Sequence, residues 1–405
     1  MSDSADPASP ASRAVAAGMF AGGPPDDVPP PGDTLVLRLE ELGMTQSELA
    51  LRTGLTTKHL SQLTNGLVPL TPDVAQRLEY ATGVPSRWWN RLEADFRSAQ
   101  TRQHQQQAAK VHEQWARRMP VKHLVRLGAI PARPDDAPSR VAQLLAFFGV
   151  ASPDAYDALW SRPAAAFRQS SAHPVDGDAV AAWLRMGELA AESAVAAPFD
   201  PAALRAALPE LRALTREPLL RAWPLARDLL ASCGVVVVLV AEVPGARAYG
   251  ACRWRAGRPV VQLSLRGKTD DAFWRTLFHE LGHVLLHGRK ASFVEFDDDG
   301  ENGPGVGPEA EADRFADSRL FAGIDDALLP ELRTETDVLA AADQAGIGPG
   351  LLVARLQALG LWDRRRGTTL RRRTPPPEEL LADRQVQVRP RPVRRPRAAG
   401  HGGPQ

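Results

Sequence analysis

The sequence predicts a multidomain, mainly helical protein with an α+β part near its C-terminal end. Its 405 residues are enough for about two to three domains. Apolar residues recur at three- and four-residue intervals through most of the chain, whereas a dense valine pattern after Leu230 is typical of buried strands. The contents of 44% hydrophobic and 24% charged residues exclude fibrous, collagen-like and wholly disordered classes.

The sequence also argues against membrane-spanning, secreted and disulfide-rich proteins. The longest nearly apolar run, Leu229–Ala241, has 13 residues and is interrupted by Ser232 and Gly234, whereas a membrane span needs about 18. Because no basic stretch followed by an apolar core opens the chain, we expect no secretory signal. Cys233 and Cys252 are too few for a disulfide framework or a cysteine-based zinc site. We therefore expect a cytoplasmic protein without membrane contact.

Changes in composition divide the chain into five segments. Residues 1–32 predict a disordered leader, and residues 33–97 predict a compact all-α domain. Residues 98–225 form a helical connector region, which opens with a Gln-rich stretch. Residues 226–363 form the α+β domain, and residues 364–405 predict a disordered tail. This tail holds twelve arginines against three acidic residues, so its net charge of +9 contrasts with +1 for the chain.

Periodicity assigns elements within the α+β domain. Three strand patterns are followed by a helix, a loop rich in Gly and Asp, a second helix and a final helical pair. In chain order these are Gly234–Val243, Ala246–Trp254, Pro259–Leu265, Thr269–His287, Phe293–Pro308, Glu309–Phe321 and Asp325–Leu361.

The first of these helices carries the sequence His279-Glu280-Leu281-Gly282-His283. Residues four apart share one face of a helix, so both imidazoles can reach one metal ion. This spacing is the H-E-x-x-H arrangement of zinc peptidases, in which the glutamate acts as general base. The alternative is a pair of packed or surface histidines on an ordinary amphipathic helix.

A catalytic zinc needs a third protein ligand and an open position for water. Six residues after His283, where a third histidine is typical of metzincins, the chain has Arg289. We expect Glu309, at the start of the next helix, to be the third ligand, with Glu311 as its competitor. Asp313, one turn beyond Glu309, is then placed to accept a hydrogen bond from a ligand histidine. The alternative is a solvated acidic helix N-terminus.

The predicted chemistry is peptide-bond hydrolysis. Zinc lowers the pKa of its water, and Glu280 takes the proton and passes it to the leaving amine. His287 and Tyr249 are candidate donors to the oxyanion, although His287 also fits a helix-end histidine. The strand Pro259–Leu265 is either an edge that pairs with an extended substrate or a plain core strand.

The N-terminal domain contains a helix-turn-helix pattern. Met44–Leu55 and Thr57–Gly66 predict two short helices with a turn at Gly54. Thr45 caps the first helix, and Glu48 completes a capping box. The predicted DNA contacts lie on the second helix and at the start of the first: Thr57, Lys58, His59, Ser61, Gln62 and Gln46.

The nearly neutral net charge of this domain leaves open whether it binds DNA or another protein. Residues 33–97 hold seven basic and eight acidic residues, whereas strong nonspecific DNA binding needs a basic surface. DNA affinity must therefore come from a local patch, a homodimer or the Arg-rich tail. The alternatives are a helical protein-interaction module and, for the tail, a solubilising end.

Two family resemblances accompany these patterns. Met44–Gly66, with Thr71–Glu79 and Gly83-Val84-Pro85, resembles the XRE-type helix-turn-helix of HigA-like antitoxins. Pro259–Gly288, with Glu309–Ala316, resembles the ImmA/IrrE family of zinc metallo-endopeptidases. The second resemblance implies a gluzincin-like zinc fold, His279, His283 and Glu309 as ligands, and Glu280 as base. It also implies cleavage of a DNA-bound repressor, and regulation of toxin–antitoxin pairs or mobile elements in fused members.

Two functional hypotheses follow. The first is a DNA-binding regulator whose zinc endopeptidase cleaves a repressor or antitoxin-type protein. The second is an antitoxin or repressor that binds its own operator, pairs with a toxin and uses the metal fold as a sensor or scaffold. A broad housekeeping peptidase leaves the helix-turn-helix unexplained.

Overall fold

The computed structural model divides the chain into two compact units, Met1–Glu113 and Gln114–Gln405. The predicted boundary between residues 97 and 98 falls inside one continuous helix, Ser86–Val111, since the Gln-rich stretch extends that helix. The structure describes residues 28–131, 137–161, 175–288, 293–296 and 307–381. The predicted leader up to residue 27, the tail from residue 382 and most of the predicted Gly- and Asp-rich loop lie outside these residues.

The first unit is built from helices around a small apolar core. Three of these helices are capped by a threonine, Thr45, Thr56 or Thr71, whose side chain accepts a backbone N–H of the first turn. Leu49 and Leu60, from the two helices of the predicted motif, are fully buried. The helices are α1 (Pro31–Leu42), α2 (Gln46–Thr53), α3 (Thr57–Thr64), α4 (Pro72–Thr82) and α5 (Ser86–Val111).

Two sequence predictions for this unit need correction. Helix α1 begins at Pro31, so the helical domain starts two residues before the predicted position 33. The side chain of Thr45 caps α2 as predicted. The carboxylate of Glu48, however, accepts hydrogen bonds from Arg52 one turn along the helix. The cap of α2 therefore rests on Thr45, and Glu48 forms an ordinary i, i+4 ion pair.

The second unit contains the remaining helices and the sheet. Short 3₁₀ segments at Leu214–Arg216, Asp326–Glu331 and Thr368–Leu370 and a π-helical turn at Asp157–Ser161 link some of them. Its helices are α6 (Glu113–Arg118, which begins at the unit boundary), α7 (Val121–Arg126), α8 (Ala137–Phe148), α9 (Pro153–Tyr156), α10 (Gly177–Glu192), α11 (Pro201–Ala213), α12 (Leu219–Ser232), α13 (Asp270–Leu286), α14 (Pro308–Leu320), α15 (Glu335–Ala345), α16 (Pro349–Ala358) and α17 (Pro377–Leu381).

The sheet has four strands in the order β1-β3-β2-β4. β1 (Val236–Leu239) is parallel to β3 (Arg258–Leu263), while β2 (Ala248–Arg255) is antiparallel to both β3 and β4 (Phe293–Phe296). β3 is therefore an interior strand. Of the two roles that the sequence left open for it, the structure contradicts the edge for a substrate and supports the core strand. β4 lies within the predicted loop Phe293–Pro308, because pairing with β2 rather than local composition determines this strand.

The segment after Arg364 also differs from the prediction. The Arg371 guanidinium bonds the Asp271 carboxylate with both Nε and Nη2, and the backbone of Asp270 donates to the carbonyl of Arg372. Within the described part of the predicted disordered tail, the segment around Arg371 is thus packed against the start of α13, and α17 follows this contact. Among the described residues, no helix has both the length and the apolar character needed to span a lipid bilayer.

Candidate metal centre and candidate DNA-contact helix

Helix α13 carries the H-E-x-x-H residues inside the core of the second unit. Acidic Asp270 and Asp271 occupy its first turn, where the helix dipole favours negative charge. Thr269 precedes the helix but makes no capping hydrogen bond. Phe278 and Leu281 are fully buried, which fixes the rotation of α13 in the core. His279 and His283 are therefore held on one inward-facing side.

The two histidines meet Glu309 from α14. The Nε2 atoms of His279 and His283 lie 3.0 Å apart. The Glu309 Oε2 atom lies 3.1 Å from Nε2 of His279 and 3.4 Å from Nε2 of His283. Three potential ligand atoms thus form a nearly equilateral triangle, with His279 and His283 buried and Glu309 half exposed.

This triangle fits the donor set of a zinc site. Zinc–nitrogen distances of about 2.0–2.1 Å in a tetrahedral site place neighbouring ligand atoms about 3.3–3.4 Å apart. Two imidazole nitrogens and one carboxylate oxygen are a common set of protein ligands for catalytic zinc. Two imidazole lone pairs directed at each other across 3.0 Å repel unless a cation or a proton lies between them. The residues present therefore fit zinc.

Asp313 makes the contact that the sequence predicted for it. Its Oδ1 atom lies 3.0 Å from Nδ1 of His279. A carboxylate can only accept, so this contact places the imidazole proton on Nδ1 and leaves Nε2 directed at the cluster. Gly282 lets α14 come this close, because a Cβ atom there would lie 3.1 Å from the Cα atom of Ala312.

Electrostatics favour the ligand forms of these groups. Desolvation raises the pKa of Glu309, but the interactions of its carboxylate with the His279 and His283 rings outweigh it and lower the pKa to about 2. Desolvation also raises the pKa of Asp313, but the contact of its carboxylate with His279 outweighs this effect, and the pKa lies below its ordinary value. Burial lowers the pKa of His283. At neutral pH the two carboxylates are charged and His283 is neutral, as metal binding requires.

Glu280 is fully buried where α13 packs on β2. The close contact is possible because residue 250 is glycine: a Cβ atom there would lie 2.4 Å from Oε1 of Glu280 and 2.7 Å from Cγ2 of Thr276. Gly250 is not among the site residues that the sequence predicted. A glycine inside a strand is a signal of close approach by another group, but only the pairing of β2 and α13 identifies that group.

The other candidate residues of the site have different surroundings. The carboxylate of Glu311, the competing ligand, lies 3.0 Å from Nε2 of His287 and outside the triangle. The Nδ1 atom of His287 lies 2.9 Å from Nδ1 of His283. Both ring nitrogens of His287 thus face protein groups, which does not favour its predicted role as oxyanion donor. Tyr249 is half-buried beside Gly250, and the Arg266 guanidinium lies over its ring at 5.9 Å.

The predicted DNA contacts gather on one part of the first unit. Thr57, Lys58 and Ser61 on α3 are exposed, as is Gln46 in the first turn of α2. His59 and Gln62 are half-buried, and the Nε2 atom of His59 is buried. The turn between the two helices has Gly54 in the left-handed conformation, with a φ of 69°.

Comparison with known proteins supports the first unit. Residues 37–89 match the family model described as helix-turn-helix. No curated protein matches the chain. The match runs from α1 into α5 and contains both α2 and α3. The chain therefore carries an N-terminal helix-turn-helix DNA-binding domain of the XRE type, which supports a DNA-binding transcriptional regulator.

Proposed function

We propose that this DNA-binding regulator carries a zinc-dependent endopeptidase that cleaves a repressor or antitoxin-type protein. The observation that carries the proposal is the convergence of His279, His283 and Glu309, with the buried Glu280 directly after His279 in the same helix. The similarity of Pro259–Gly288 to the ImmA/IrrE family supports both the zinc endopeptidase activity and its use in cleaving a regulatory protein. We propose that the protein acts in the cytoplasm, where a DNA-binding regulator meets its operator.

His279, His283 and Glu309 would hold the zinc ion, and Asp313 would orient His279 through its Nδ1 proton. When bound, zinc polarises the substrate carbonyl and makes its water more acidic. Because Glu309 is charged and His283 is neutral at pH 7, neither needs to lose a proton before binding the metal.

Glu280 supplies the proton transfer in this proposal. Its position, one residue after His279 on the same helix, is that of the general base in the H-E-x-x-H arrangement. The Glu280 carboxylate takes a proton from the attacking water and returns it to the nitrogen of the leaving amine. Its burial against Gly250 limits its rotamers, which keeps the carboxylate on the side of α13 that faces the sheet.

In the first unit, we propose that α3 enters the major groove of an operator. Lys58 is the exposed cation of this helix and is suited to a phosphate, whereas Ser61 and Gln62 are suited to base edges. A homodimer would double these contacts and compensate for the nearly neutral charge of the domain.

The test combines metal analysis with substrate profiling. Purified wild-type protein, His283→Ala and Glu280→Gln are analysed for zinc and then incubated with a proteome-derived peptide library, whose new termini are identified by mass spectrometry. We expect about one zinc per chain in the wild type and in Glu280→Gln, and new termini with the wild type alone. Equal cleavage by Glu280→Gln would overturn the role of Glu280, and absence of zinc from the wild type would overturn the metal site.

A second candidate function rests on the helix-turn-helix match at residues 37–89. Here the protein is an antitoxin or repressor that binds its own operator and pairs with a toxin, and the metal site is a sensor or scaffold. Glu280→Gln would then leave regulation of a reporter gene intact, whereas joint substitution of Lys58 and Gln62 would abolish it. Loss of regulation in Glu280→Gln with retained DNA binding favours the peptidase instead.

A further inference from the structure

The two ligand histidines are supported in different ways on the side away from Glu309. His279 contacts an acidic residue of α14 directly, through Asp313. His283 contacts His287, the residue that directly follows α13, and His287 in turn contacts Glu311 of α14. His287 is nearly buried, with 9% of its side chain exposed, so the contact with His283 is shielded from water.

With both rings neutral, the protons in this chain of contacts have one consistent arrangement. The Glu311 carboxylate can only accept, so Nε2 of His287 carries a proton and donates it. In a neutral imidazole the other nitrogen then has a lone pair, so Nδ1 of His287 accepts. It therefore accepts from Nδ1 of His283, which must carry the proton of that ring. Nε2 of His283 is left with its lone pair directed at the triangle, which is the form that can bind a metal ion.

We infer that His287 and Glu311 are positioning residues for the metal site, which fix the tautomer and ring orientation of His283 as Asp313 does for His279. This inference rests on the proposed function, because it assigns the pair a role toward the metal. α14 then carries three acidic residues with different roles at the metal site. Glu309 is a ligand, Asp313 orients His279 directly, and Glu311 orients His283 through His287.

The contacts of His287 and Glu311 do not fit two simpler roles, that of a metal ligand for Glu311 and that of a helix-end histidine for His287. Glu311 lies against His287 and is not one of the three converging ligand atoms. His287 directs Nδ1 at His283 rather than at the carbonyls of the helix end. Partners of this kind, which contact a metal ligand but not the metal, typically contribute 10- to 100-fold to metal affinity.

Zinc affinity of the full-length protein tests the inference, measured by competition with a chromophoric zinc chelator. His287→Phe keeps the bulk of the ring and removes the hydrogen bonds, so we expect zinc to bind about 10- to 100-fold more weakly. His287→Asn places an amide oxygen as many bonds from the backbone as Nδ1 is, so it can still accept from His283. We expect this variant to recover most of the affinity. Glu311→Gln still accepts from His287, so we expect a smaller loss, of about several-fold.

Two controls and a second readout separate positioning from general damage. His104→Ala removes an exposed histidine of the first unit, and Glu331→Gln removes an exposed carboxylate at the end of the 3₁₀ segment Asp326–Glu331, outside α14. Both variants should bind zinc as the wild type does. With Co²⁺ in place of zinc, the visible absorption bands should change in His287→Phe and return toward the wild-type spectrum in His287→Asn. A purely structural role would lower the thermal stability of the metal-free variants without this pattern of rescue.

The outcomes separate this inference from the proposed function. If the wild type binds zinc and His287→Phe binds it equally tightly, the positioning role is overturned and the proposed metal site stands. If His287→Asn binds as weakly as His287→Phe, the hydrogen bond to His283 is not what matters, and the inference is again overturned. If the wild type binds no zinc, the proposed function fails, and this inference fails with it.

Discussion

The helix-turn-helix and the candidate metal centre are each built on a pair of helices, but they use opposite sides of them. In the first unit, the residues proposed to contact DNA, such as Lys58 and Ser61, are exposed on α3, while Leu60 faces the core. In the second unit, His283 and Glu280 are themselves core residues, at 1% and 0% exposure. Stability and the proposed function thus depend on different side chains in the first unit and on the same side chains in the second.

This difference predicts how the two units tolerate substitution. Exposed positions away from caps and ion pairs usually change stability by less than about 0.5 kcal/mol. A buried side chain of the metal centre contributes to core packing, to hydrogen bonding and to the proposed reaction. A substitution there is therefore expected to affect all three. We therefore expect function and stability to separate cleanly in the helix-turn-helix and to remain coupled in the metal centre.

The largest expected effect is at Glu280. Glu280→Gln keeps the size of the side chain but removes its basicity, and general acid–base catalysis typically contributes about 10²- to 10⁴-fold. Using a peptide substrate identified by profiling, we expect a loss of activity of that size, with bound zinc unchanged. A loss of zinc together with activity would mean that the variant damages the metal centre, and a drop of less than tenfold would contradict the assigned role.

A smaller effect is expected from Gly250→Ala, which tests the coupling directly. The added Cβ atom would lie 2.4 Å from Oε1 of Glu280 and 2.7 Å from Cγ2 of Thr276, so the Glu280 side chain, the strand or the helix must shift. Overpacking of this kind typically costs about 1–3 kcal/mol. We expect the free energy of unfolding and peptidase activity to fall together, as measured by urea denaturation and peptide cleavage.

Gly282→Ala is the matched comparison for Gly250→Ala. The Cβ atom added at residue 282 would lie 3.1 Å from its closest neighbours, the Cα atom of Ala312 and the Cδ1 atom of Phe315, which need to move only slightly. Gly282→Ala should cost less stability than Gly250→Ala. The reverse order would show that α14 constrains α13 more strongly than β2 does, and full activity in Gly250→Ala would break the coupling.

The third prediction concerns pH and Asp270, at the start of α13. Burial raises the pKa of Asp270 to about 6 from 3.8, against the opposing effects of the Leu219 N–H and Arg372. Because the folded-state pKa is above the unfolded value, the folded protein binds more protons between these values. The free energy of unfolding should therefore fall as pH rises from about 4 to 6, by up to about 3 kcal/mol from this group.

Asp270→Asn should remove this pH dependence. Part of the gain at neutral pH is offset by the lost attraction of a negative charge to the helix N-terminus, about 0.3–1 kcal/mol. We expect the variant to be more stable than the wild type by about 1–2 kcal/mol at pH 7.5 and no more stable at pH 4, as measured by urea denaturation. An equal difference at both pH values would contradict the raised pKa of Asp270.

The comparison also explains which features the sequence could predict. α2, α3 and α13 are defined by signals within their own residues, such as the cap at Thr45 and the apolar face around His279, and these helices lie where the pattern indicates. The contact of Asp313 with His279 was also predictable, since α14 had to supply a third ligand and one turn separates Asp313 from Glu309.

Other features depend on pairing between distant segments. The sequence did not predict β4 and left open whether β3 is an edge or a core strand, because strand order follows from partners rather than from composition. The contact of Glu280 with Gly250 and the contacts of His287 required the packing of α13 against β2 and α14. The segment around Arg371 was predicted to be disordered from its charge, although its ion pair with Asp271 holds it on α13.

The smallest expected effect is at Lys58, and it tests the other half of the comparison. Because Lys58 is exposed on α3, Lys58→Ala should change the free energy of unfolding by less than about 0.5 kcal/mol. If Lys58 contacts a phosphate, its loss should weaken binding to operator and nonspecific DNA alike and should reduce the slope of log affinity against log salt by about 1. Fluorescence anisotropy with labelled duplexes at several salt concentrations measures both quantities.

Lys122→Ala is the control, because it removes an exposed lysine from α7 in the second unit; it should leave the salt dependence unchanged. If Lys58→Ala left the salt slope unchanged, Lys58 would not contact the DNA backbone. If instead it weakened DNA binding by destabilising the domain, exposed and functional positions would not be separable in the first unit. The contrast between the two helix pairs would then be wrong, because recognition would depend on the same side chains as folding.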